Sequence, residues 1–265
     1  EDGIRDRSPS RGLGDVYKRQ TLGPPPDAGT GKASLRWITS LDTLSWTAIT
    51  ADPQRARRVE NEFSDSRREG DRVIAGNWSD PLLLQGEVFD VVLADYLIGS
   101  MDRFSPYLQY RFLRRLRPHV GSCLYLAGLE PYHGAGDNAG GRLVLEIANL
   151  RDACILHAGH RGHREYPADW VIGQLESSGF EVEEEKRFPI IYGTKFINEQ
   201  LDVCRRKLEF IENQELVSGL RSRIDKLREK ALAFYDVHRG IRFGYDYVIS
   251  CLLYTSDAAD DTPCV

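Results

Sequence analysis

The sequence lacks a long hydrophobic run, since no segment reaches 18 consecutive apolar residues. A membrane-spanning helix needs about 20 such residues, so the chain is not predicted to cross a membrane or to have one as a partner. A secretory signal would have to lie upstream of the first residue. The localisation is therefore open, with the cytoplasm as the default expectation.

Cysteine is infrequent, and acidic residues outnumber basic ones by 40 to 35. Of the five cysteines, Cys251 and Cys264 lie near the C-terminal end, and Cys123, Cys154 and Cys204 are widely spaced. This spacing matches neither a disulfide framework nor a zinc site. The formal net charge of -5 argues against a general nucleic-acid binder. We therefore predict no metal and no nucleic-acid partner.

Both ends of the chain resemble translated sequencing-adaptor sequence. Residues 15–20 can be encoded by one oligonucleotide, and residues 251–256 by its reverse complement. We therefore expect 1–20 and 251–265 to be non-native tails, which are left out of the fold prediction. The remaining residues, 21–250, have an ordinary apolar and charged composition and are enough for a single sizeable domain.

Segments typical of strands and helices alternate along residues 21–250. Strand segments are short and rich in β-branched, aromatic or apolar residues, and segments with helical spacing follow most of them. This alternation predicts an α/β fold of the Rossmann type, a parallel sheet with helices on both faces. Predicted strands cover 45–50, 73–75, 89–94, 123–127, 180–183, 188–192 and 245–250, and predicted helices cover 33–41, 54–63, 107–116 and 169–178.

Residues 194–237 depart from this alternation and predict a pair of helices. Two sets of apolar residues each lie at helical spacing, so each set marks one helix face. A structural helical pair is one interpretation, and a lid or a contact in a homodimer is the other. The first set is Leu201, Cys204, Leu208 and Ile211, and the second is Leu216, Leu220, Leu227, Ala231 and Phe234.

The loop before the first predicted helix is rich in glycine and is a candidate ligand site. Glycine lets a backbone approach a ligand closely, and the N-terminus of the following helix offers free N–H groups to an anion. A plain flexible loop is the alternative. A P-loop is excluded, because Pro26 stands where that motif needs glycine and Ala33 replaces the residue that holds magnesium. The candidate residues are Gly23, Asp27, Gly29 and Gly31.

Further candidates follow the later strands, because ligands of open parallel sheets bind beyond the carboxyl ends of the strands. Asp52 follows the second strand at the position where an acid accepts hydrogen bonds from ribose hydroxyls, or it only caps the next helix. Asn77 and Trp78 follow the third strand and suit an adenine ring, although Trp78 could equally be a core residue. Asp95 and Tyr96 follow the fourth strand, at the same crevice or at a solvated strand end.

Taken together, these segments resemble class I S-adenosylmethionine-dependent methyltransferases over nearly all of 21–250. Residues 27–31 look like the family's acidic glycine loop, Asp52 like the acid after its second strand, and 89–95 like its fourth-strand motif. The resemblance implies a mostly parallel sheet with a reversed last strand. It also implies S-adenosylmethionine as cofactor, bound by Gly23, Asp27, Gly29, Gly31, Asp52, Asn77, Trp78 and Asp95.

The sequence departs from the family pattern at two places. Three prolines, Pro24, Pro25 and Pro26, precede Asp27 where the family has a strand, so the first strand is expected to end near Leu22. Asn77 stands where an acid is common in the family. These departures keep two alternatives open: a non-catalytic binding module that has lost cofactor affinity, and an oxidoreductase on a related fold.

The reaction implied by the resemblance moves a methyl group from a sulfonium to a nucleophile on a small molecule or a protein. Positioning supplies most of the acceleration, so no catalytic residue is assigned. The spacing of His157, His160 and His163 suggests a metal, but no carboxylate or thiolate supports it. The candidate acceptor-binding residues are Tyr96, Glu130, Tyr132, His133 and His160.

Overall fold

The structure is a computed structural model that describes residues 26–27 and 32–253 of the 265-residue chain. Its strands are β1 (Pro26–Asp27), β2 (Thr47–Thr50), β3 (Arg72–Ala75), β4 (Phe89–Asp95), β5 (Val120–Leu129), β6 (Glu181–Tyr192) and β7 (Ile241–Leu252). Its α-helices are α1 (Lys32–Thr39), α2 (Pro53–Glu62), α3 (Leu97–Phe104), α4 (Gln109–Leu116), α5 (Ala139–His157), α6 (Ala168–Ser177), α7 (Thr194–Lys207) and α8 (Gln214–His238).

The seven strands form one sheet in the order β3-β2-β1-β4-β5-β7-β6. Strands β1 to β5 pair in parallel, and β7 runs antiparallel to β5, with Leu129 opposite Asp246. The prediction of a mostly parallel sheet with a reversed last strand is confirmed. The strand order changes direction between β1 and β4, and such a switch point opens a crevice at the carboxyl ends of the strands.

The core lies on the central strands, whose apolar runs are buried on both faces as a parallel sheet requires. Residues 91–94 of β4 are at most 1% exposed, and Leu124 and Leu126 of β5 are fully buried. Phe112 of α4 and Val171 of α6 pack in the same hydrophobic cluster. At roughly 1.5–3 kcal/mol for each large apolar side chain that is buried, this cluster is a major source of stability.

The chain divides into two compact units. The sheet unit holds the described residues up to Leu129 together with 164–187 and those from Asp246, and the helical unit holds 130–163 and 188–245. Helices α5, α7 and α8 belong to the helical unit. In it, Arg151 of α5 donates to Gln200 of α7 over 2.8 Å.

The predicted helical pair over 194–237 is confirmed as α7 and α8. Leu201 and Cys204 of α7 are fully buried, as are Ile224 and Ala231 of α8, so each helix turns an apolar face inward. The sequence did not predict α5, which packs with both of them. A homodimer contact through 194–237 stays a prediction.

Several strand boundaries differ from those expected. Strand β5 is longer at both ends, β7 begins at Ile241 rather than at 245, and the segments predicted at 180–183 and 188–192 form the single strand β6. The described part of the first strand is Pro26–Asp27 rather than a strand ending near Leu22; Asp27 pairs with Ala48 of β2 and with Leu93 of β4. Proline lacks an N–H but keeps its carbonyl oxygen, so Pro26 can still be part of so short a strand. At the other end, β7 continues two residues past the expected limit at 250. No helix in the described part of the chain is long and apolar enough to span a membrane.

Candidate functional site

The carboxyl end of β2 carries Asp52, which caps helix α2. Its Oδ1 accepts hydrogen bonds from the backbone N–H groups of Gln54 (2.9 Å) and Arg55 (3.3 Å), and Pro53 takes the first helical position. This is the usual geometry of an N-cap. The other carboxylate oxygen, Oδ2, makes no hydrogen bond within 26–27 and 32–253. Capping therefore occupies one oxygen of Asp52 and leaves the second able to accept from a ligand hydroxyl.

The carboxyl end of β4 carries Asp95, which is tied to the first helix. Ser34 of α1 is buried, and its Oγ donates to Oδ2 of Asp95. The next residue, Tyr96, has φ 49° and ψ 23°, and its N–H donates to the carbonyl of Ala127 on β5 over 2.9 Å. A left-handed conformation is uncommon for a non-glycine residue and recurs at functional sites. It turns the chain directly from β4 into α3.

The segment after β3 places Asn77 and Trp78 differently. Oδ1 of Asn77 accepts from the N–H of Ser79 (2.9 Å) and from Oγ of Ser105 (3.0 Å), which leaves its amide NH2 without a partner among the described residues. Trp78 is only 5% exposed and packs edge-on against Phe112, with ring centroids 5.5 Å apart. The packing of Trp78 favours the core interpretation.

The structure brings four of the predicted cofactor residues to the carboxyl ends of adjacent strands. Asn77 follows β3, Asp52 follows β2, Asp27 ends β1 and Asp95 ends β4, in the order in which these strands pair. For Asp27, only the backbone position is described. Gly23, Gly29 and Gly31 lie outside the described residues.

Three of the predicted acceptor residues share one pocket. Glu130, Tyr132 and His133 lie in a cavity of about 560 Å³ within the helical unit. His160 is not among its lining residues and instead packs on Phe210, with ring centroids 4.9 Å apart. The fifth predicted residue, Tyr96, belongs to the sheet unit. The other side chains that line the pocket include Asn138, Pro189, Phe234, His238, Arg242, Phe243 and Tyr245.

The pocket walls are aromatic rings. The rings of Tyr132 and Phe243 have centroids 5.2 Å apart, and those of Phe234 and His238 are 4.1 Å apart. The hydroxyl of Tyr132 forms a short hydrogen bond with that of Tyr192. Gly244 has φ +78°, and a Cβ there would lie 2.9 Å from Cε1 of Tyr132, so glycine lets this ring lie against the backbone.

Sequence reasoning missed Arg242 and His238, which are exposed at the pocket. No sequence signal distinguishes this arginine from the many other charged residues. It reaches the pocket because β7 begins near the loop of residues 130–138, where the Asn138 side-chain NH2 donates to the Arg242 carbonyl over 3.1 Å. These two residues are 104 positions apart in the chain.

Several buried groups in the two units have shifted pKa values. In the sheet unit, burial raises the pKa of Tyr166 to about 12, and the Asp102 carboxylate, which accepts its hydrogen bond over 3.2 Å, adds to the shift. In the helical unit, Cys154 and Cys204 are free, buried and hydrogen-bonded to each other. Their hydrogen bond, together with burial, raises the pKa of the Cys204 thiol. No group of acidic, histidine or cysteine side chains among the described residues could hold a metal ion.

No protein-family model and no curated protein matches the sequence. Solved structures do match it. A candidate methyltransferase from Bacillus halodurans C-125 is 14% identical, with a TM-score of 0.59, over 92% of this chain and 98% of that one. The [4+2]-cyclase SpnF is 14% identical, with a TM-score of 0.55, over 97% and 85%. Mycolic acid cyclopropane synthase CmaA1 in complex with SAH and CTAB is 15% identical, with a TM-score of 0.52, over 91% and 83%. The chain therefore has the class I methyltransferase fold.

Proposed function

We propose that this protein transfers the methyl group of S-adenosylmethionine to a nucleophile on a small-molecule or protein acceptor. The observation that carries the proposal is the carboxylate of Asp52. It lies at the carboxyl end of β2, near the switch point between β1 and β4. One of its oxygens accepts the hydrogen bonds of the helix cap, and the other accepts none from the described residues. Two ribose hydroxyls could donate to that oxygen.

The side chains at the neighbouring strand ends suit the rest of the nucleoside. The amide NH2 of Asn77 has no partner among the described residues, so it can donate to a ring nitrogen of adenine. Asp95 holds α1 through Ser34, which fixes the start of the helix that follows the glycine loop. The backbone N–H groups of that loop, at Gly23, Gly29 and Gly31, are proposed to face the carboxylate of the cofactor. Trp78, which packs in the core, is not part of this proposal.

The bound cofactor would supply a methyl group on a positively charged sulfur. The protein's own contribution is to orient the two reactants, which accounts for a large share of the acceleration in such displacements. An acceptor that carries a proton also needs a base, and we assign none. CmaA1, which shares this fold, was solved with SAH, and this supports a cofactor of the same kind here.

A second candidate function is small-molecule binding or catalysis without methyl transfer. The observation that favours it is the matched structure of SpnF, described as a [4+2]-cyclase on the same fold. One fold can host unrelated activities, so the site has to be tested directly.

Calorimetry with S-adenosylhomocysteine tests the cofactor site. We expect binding by the wild-type chain and a loss of affinity of about tenfold or more in Asp52→Asn, because a charge-assisted hydrogen bond contributes roughly 1.5–3 kcal/mol. Asparagine caps helices as well as aspartate does, so this variant keeps the fold while removing the charge. Asp90→Asn is the matched control, since Asp90 is exposed near the amino-terminal end of β4.

The possible outcomes of this experiment separate the candidates. Binding of NAD without binding of S-adenosylhomocysteine would refute the proposal and favour an oxidoreductase. Equal affinity in wild type and Asp52→Asn would remove Asp52 from the site. No binding of either ligand would favour a module that has lost cofactor affinity.

A further inference from the structure

The pocket in the helical unit has the size of a small-molecule site. Its volume of about 560 Å³ lies within the range of roughly 300–1,000 Å³ typical of sites for small ligands. All of its lining residues belong to 130–163 or 188–245, so the whole pocket lies within one compact unit.

The shape of the pocket favours a flat, apolar body. Tyr132 and Phe243 form one aromatic pair and Phe234 with His238 forms another, and Tyr245 also lines the cavity. Aromatic walls bind a planar ring by offset stacking or edge-to-face contact. Glycines complete the lining at positions 134, 140, 240 and 244, and a Cβ on Gly244 would lie 2.9 Å from Cε1 of Tyr132.

The pocket is lined by one carboxylate, that of Glu130, and one guanidinium, that of Arg242. The Glu130 carboxylate lies 3.9 Å from Nε2 of His133. The guanidinium of Arg242 has neither an ion pair nor a hydrogen bond in the described part of the chain. Arginine stays protonated at any ordinary pH and presents a planar fork of donors that matches a carboxylate. Beside its aromatic walls, the pocket therefore offers a guanidinium that forms no ion pair with any of the residues that the structure describes.

Hydrogen bonds hold the backbone around Arg242 in place. Asn138 donates to the carbonyl of Arg242 over 3.1 Å, and its Oδ1 accepts from the N–H of Gly141 over 2.8 Å. The N–H of Glu130 donates to the carbonyl of Tyr245 over 2.9 Å. A site fixed on both sides in this way has less conformational freedom to lose when a ligand binds.

From these observations we infer that the pocket binds a small aromatic carboxylate, with its ring against Tyr132, Phe234 and Phe243 and its carboxylate on Arg242. A phosphate dianion fits less well, because the Glu130 carboxylate lines the same pocket. That this ligand is the methyl acceptor or its product rests on the proposed function. That the pocket binds an aromatic carboxylate does not depend on the proposed function.

The test is a comparison of three probes of the same shape and different charge. Cinnamate, cinnamyl alcohol and cinnamylamine are titrated into the full chain without cofactor, and binding is followed by calorimetry and by ligand-observed NMR. We expect cinnamate to bind about tenfold or more tightly than the alcohol, and the amine to bind no better than the alcohol. Added salt should weaken the binding of cinnamate alone.

Variants decide whether Arg242 is responsible. Arg242→Gln should reduce the affinity for cinnamate to that for the alcohol and leave the affinity for the alcohol unchanged. Arg221→Gln is the matched control, because this substitution removes the same charge. Arg221 is exposed on α8 and does not line the pocket. Phe234→Ala should weaken the binding of cinnamate and of cinnamyl alcohol to the same extent.

Two results would overturn the inference. One is equal binding of cinnamate and the alcohol by the wild-type chain, and the other is binding of none of the three probes. Because S-adenosylhomocysteine is absent from this experiment, failure of the inference and failure of the cofactor proposal are measured separately.

Discussion

Ser34 of α1 donates a hydrogen bond through its Oγ to Oδ2 of Asp95, the last residue of β4. The two residues are 61 positions apart in the chain, and Ser34 is 5% exposed. This bond ties the first helix to the strand on the far side of the switch point, so it links the position of α1 to that of β4.

We expect Ser34→Ala to lower the free energy of unfolding by about 1–2 kcal/mol, because the bond is shielded from water and its acceptor is a carboxylate. Urea denaturation measures the change. Ser40→Ala is the control, since the exposed hydroxyl of Ser40 only donates to the nearby carbonyl of Trp37 and should contribute less than about 0.5 kcal/mol. Equal losses of unfolding free energy in the two variants would show that the Ser34–Asp95 hydrogen bond stabilises the fold no more than an exposed one does.

Asp52 has two separable roles, a helix cap and a proposed ligand contact. Asp52→Ala removes the acceptor for the N–H groups of Gln54 and Arg55, so we expect a loss of about 1 kcal/mol in the free energy of unfolding. Asp52→Asn should stay within a few tenths of a kcal/mol of wild type, because asparagine is an equally good cap. Chemical denaturation of both variants tests this. A similar loss in Asp52→Asn would mean that the charge itself stabilises the fold.

The phenol of Tyr125 should make stability depend on alkaline pH. Burial raises its pKa to about 12, and the nearby carboxylates of Glu183 and Glu184 add to the shift. In the unfolded chain it ionises near pH 10, so between pH 10 and about 12 the folded state holds a proton that the unfolded state has lost. The contribution of the protonated phenol to the free energy of unfolding is complete below pH 10. It is lost, at about 1.4 kcal/mol per pH unit, as the pH rises through the pKa that Tyr125 has in the folded state.

Unfolding measurements between pH 9 and about 12 check this slope. Tyr125→Phe should flatten it in part, and the ultraviolet absorbance of tyrosinate should show one fewer late-ionising group in that variant. Tyr166, whose pKa is also raised to about 12, should still ionise late there. An unchanged slope in Tyr125→Phe would assign the alkaline loss of stability to other groups.

Local sequence patterns were enough to predict the central strands β4 and β5. The mainly apolar runs at 89–94 and 123–127 identify β4 and β5, because short runs of this kind are typical of strands buried on both faces. The position of Asp52, directly after a β-branched segment and before Pro53, identifies both the strand end and the start of α2. These features depend on residues close together in the chain.

Helix α5 could not be predicted in the same way, because it begins with a glycine pair, which is typical of a loop. In the structure a Cβ on Gly140 would lie 2.9 Å from Cγ2 of Ile241, and one on Gly141 would lie 2.5 Å from Cδ2 of Phe243. Close packing against β7 explains both glycines. The pocket residue Arg242 and the Cys154–Cys204 pair depend on contacts of the same long-range kind.

Two glycines in helices of the helical unit should respond in opposite ways to alanine. Gly219 lies exposed within α8, and a Cβ there would meet nothing within 4 Å. Gly219→Ala should therefore raise the free energy of unfolding by about 0.5–1 kcal/mol, the usual gain when alanine replaces glycine in a helix.

Gly141→Ala makes the same chemical change in α5, but its new methyl group would overlap the ring of Phe243. That ring also contacts Tyr132, with centroids 5.2 Å apart, so it cannot move aside without disturbing the pocket wall. Overpacking of this kind costs about 1–3 kcal/mol, which exceeds the helical gain, and we expect a net loss of stability in urea denaturation. Binding of cinnamate should weaken in Gly141→Ala and stay unchanged in Gly219→Ala. A gain of stability in both variants would show that Phe243 does not pack on Gly141, and the proposed aromatic wall would lose its support.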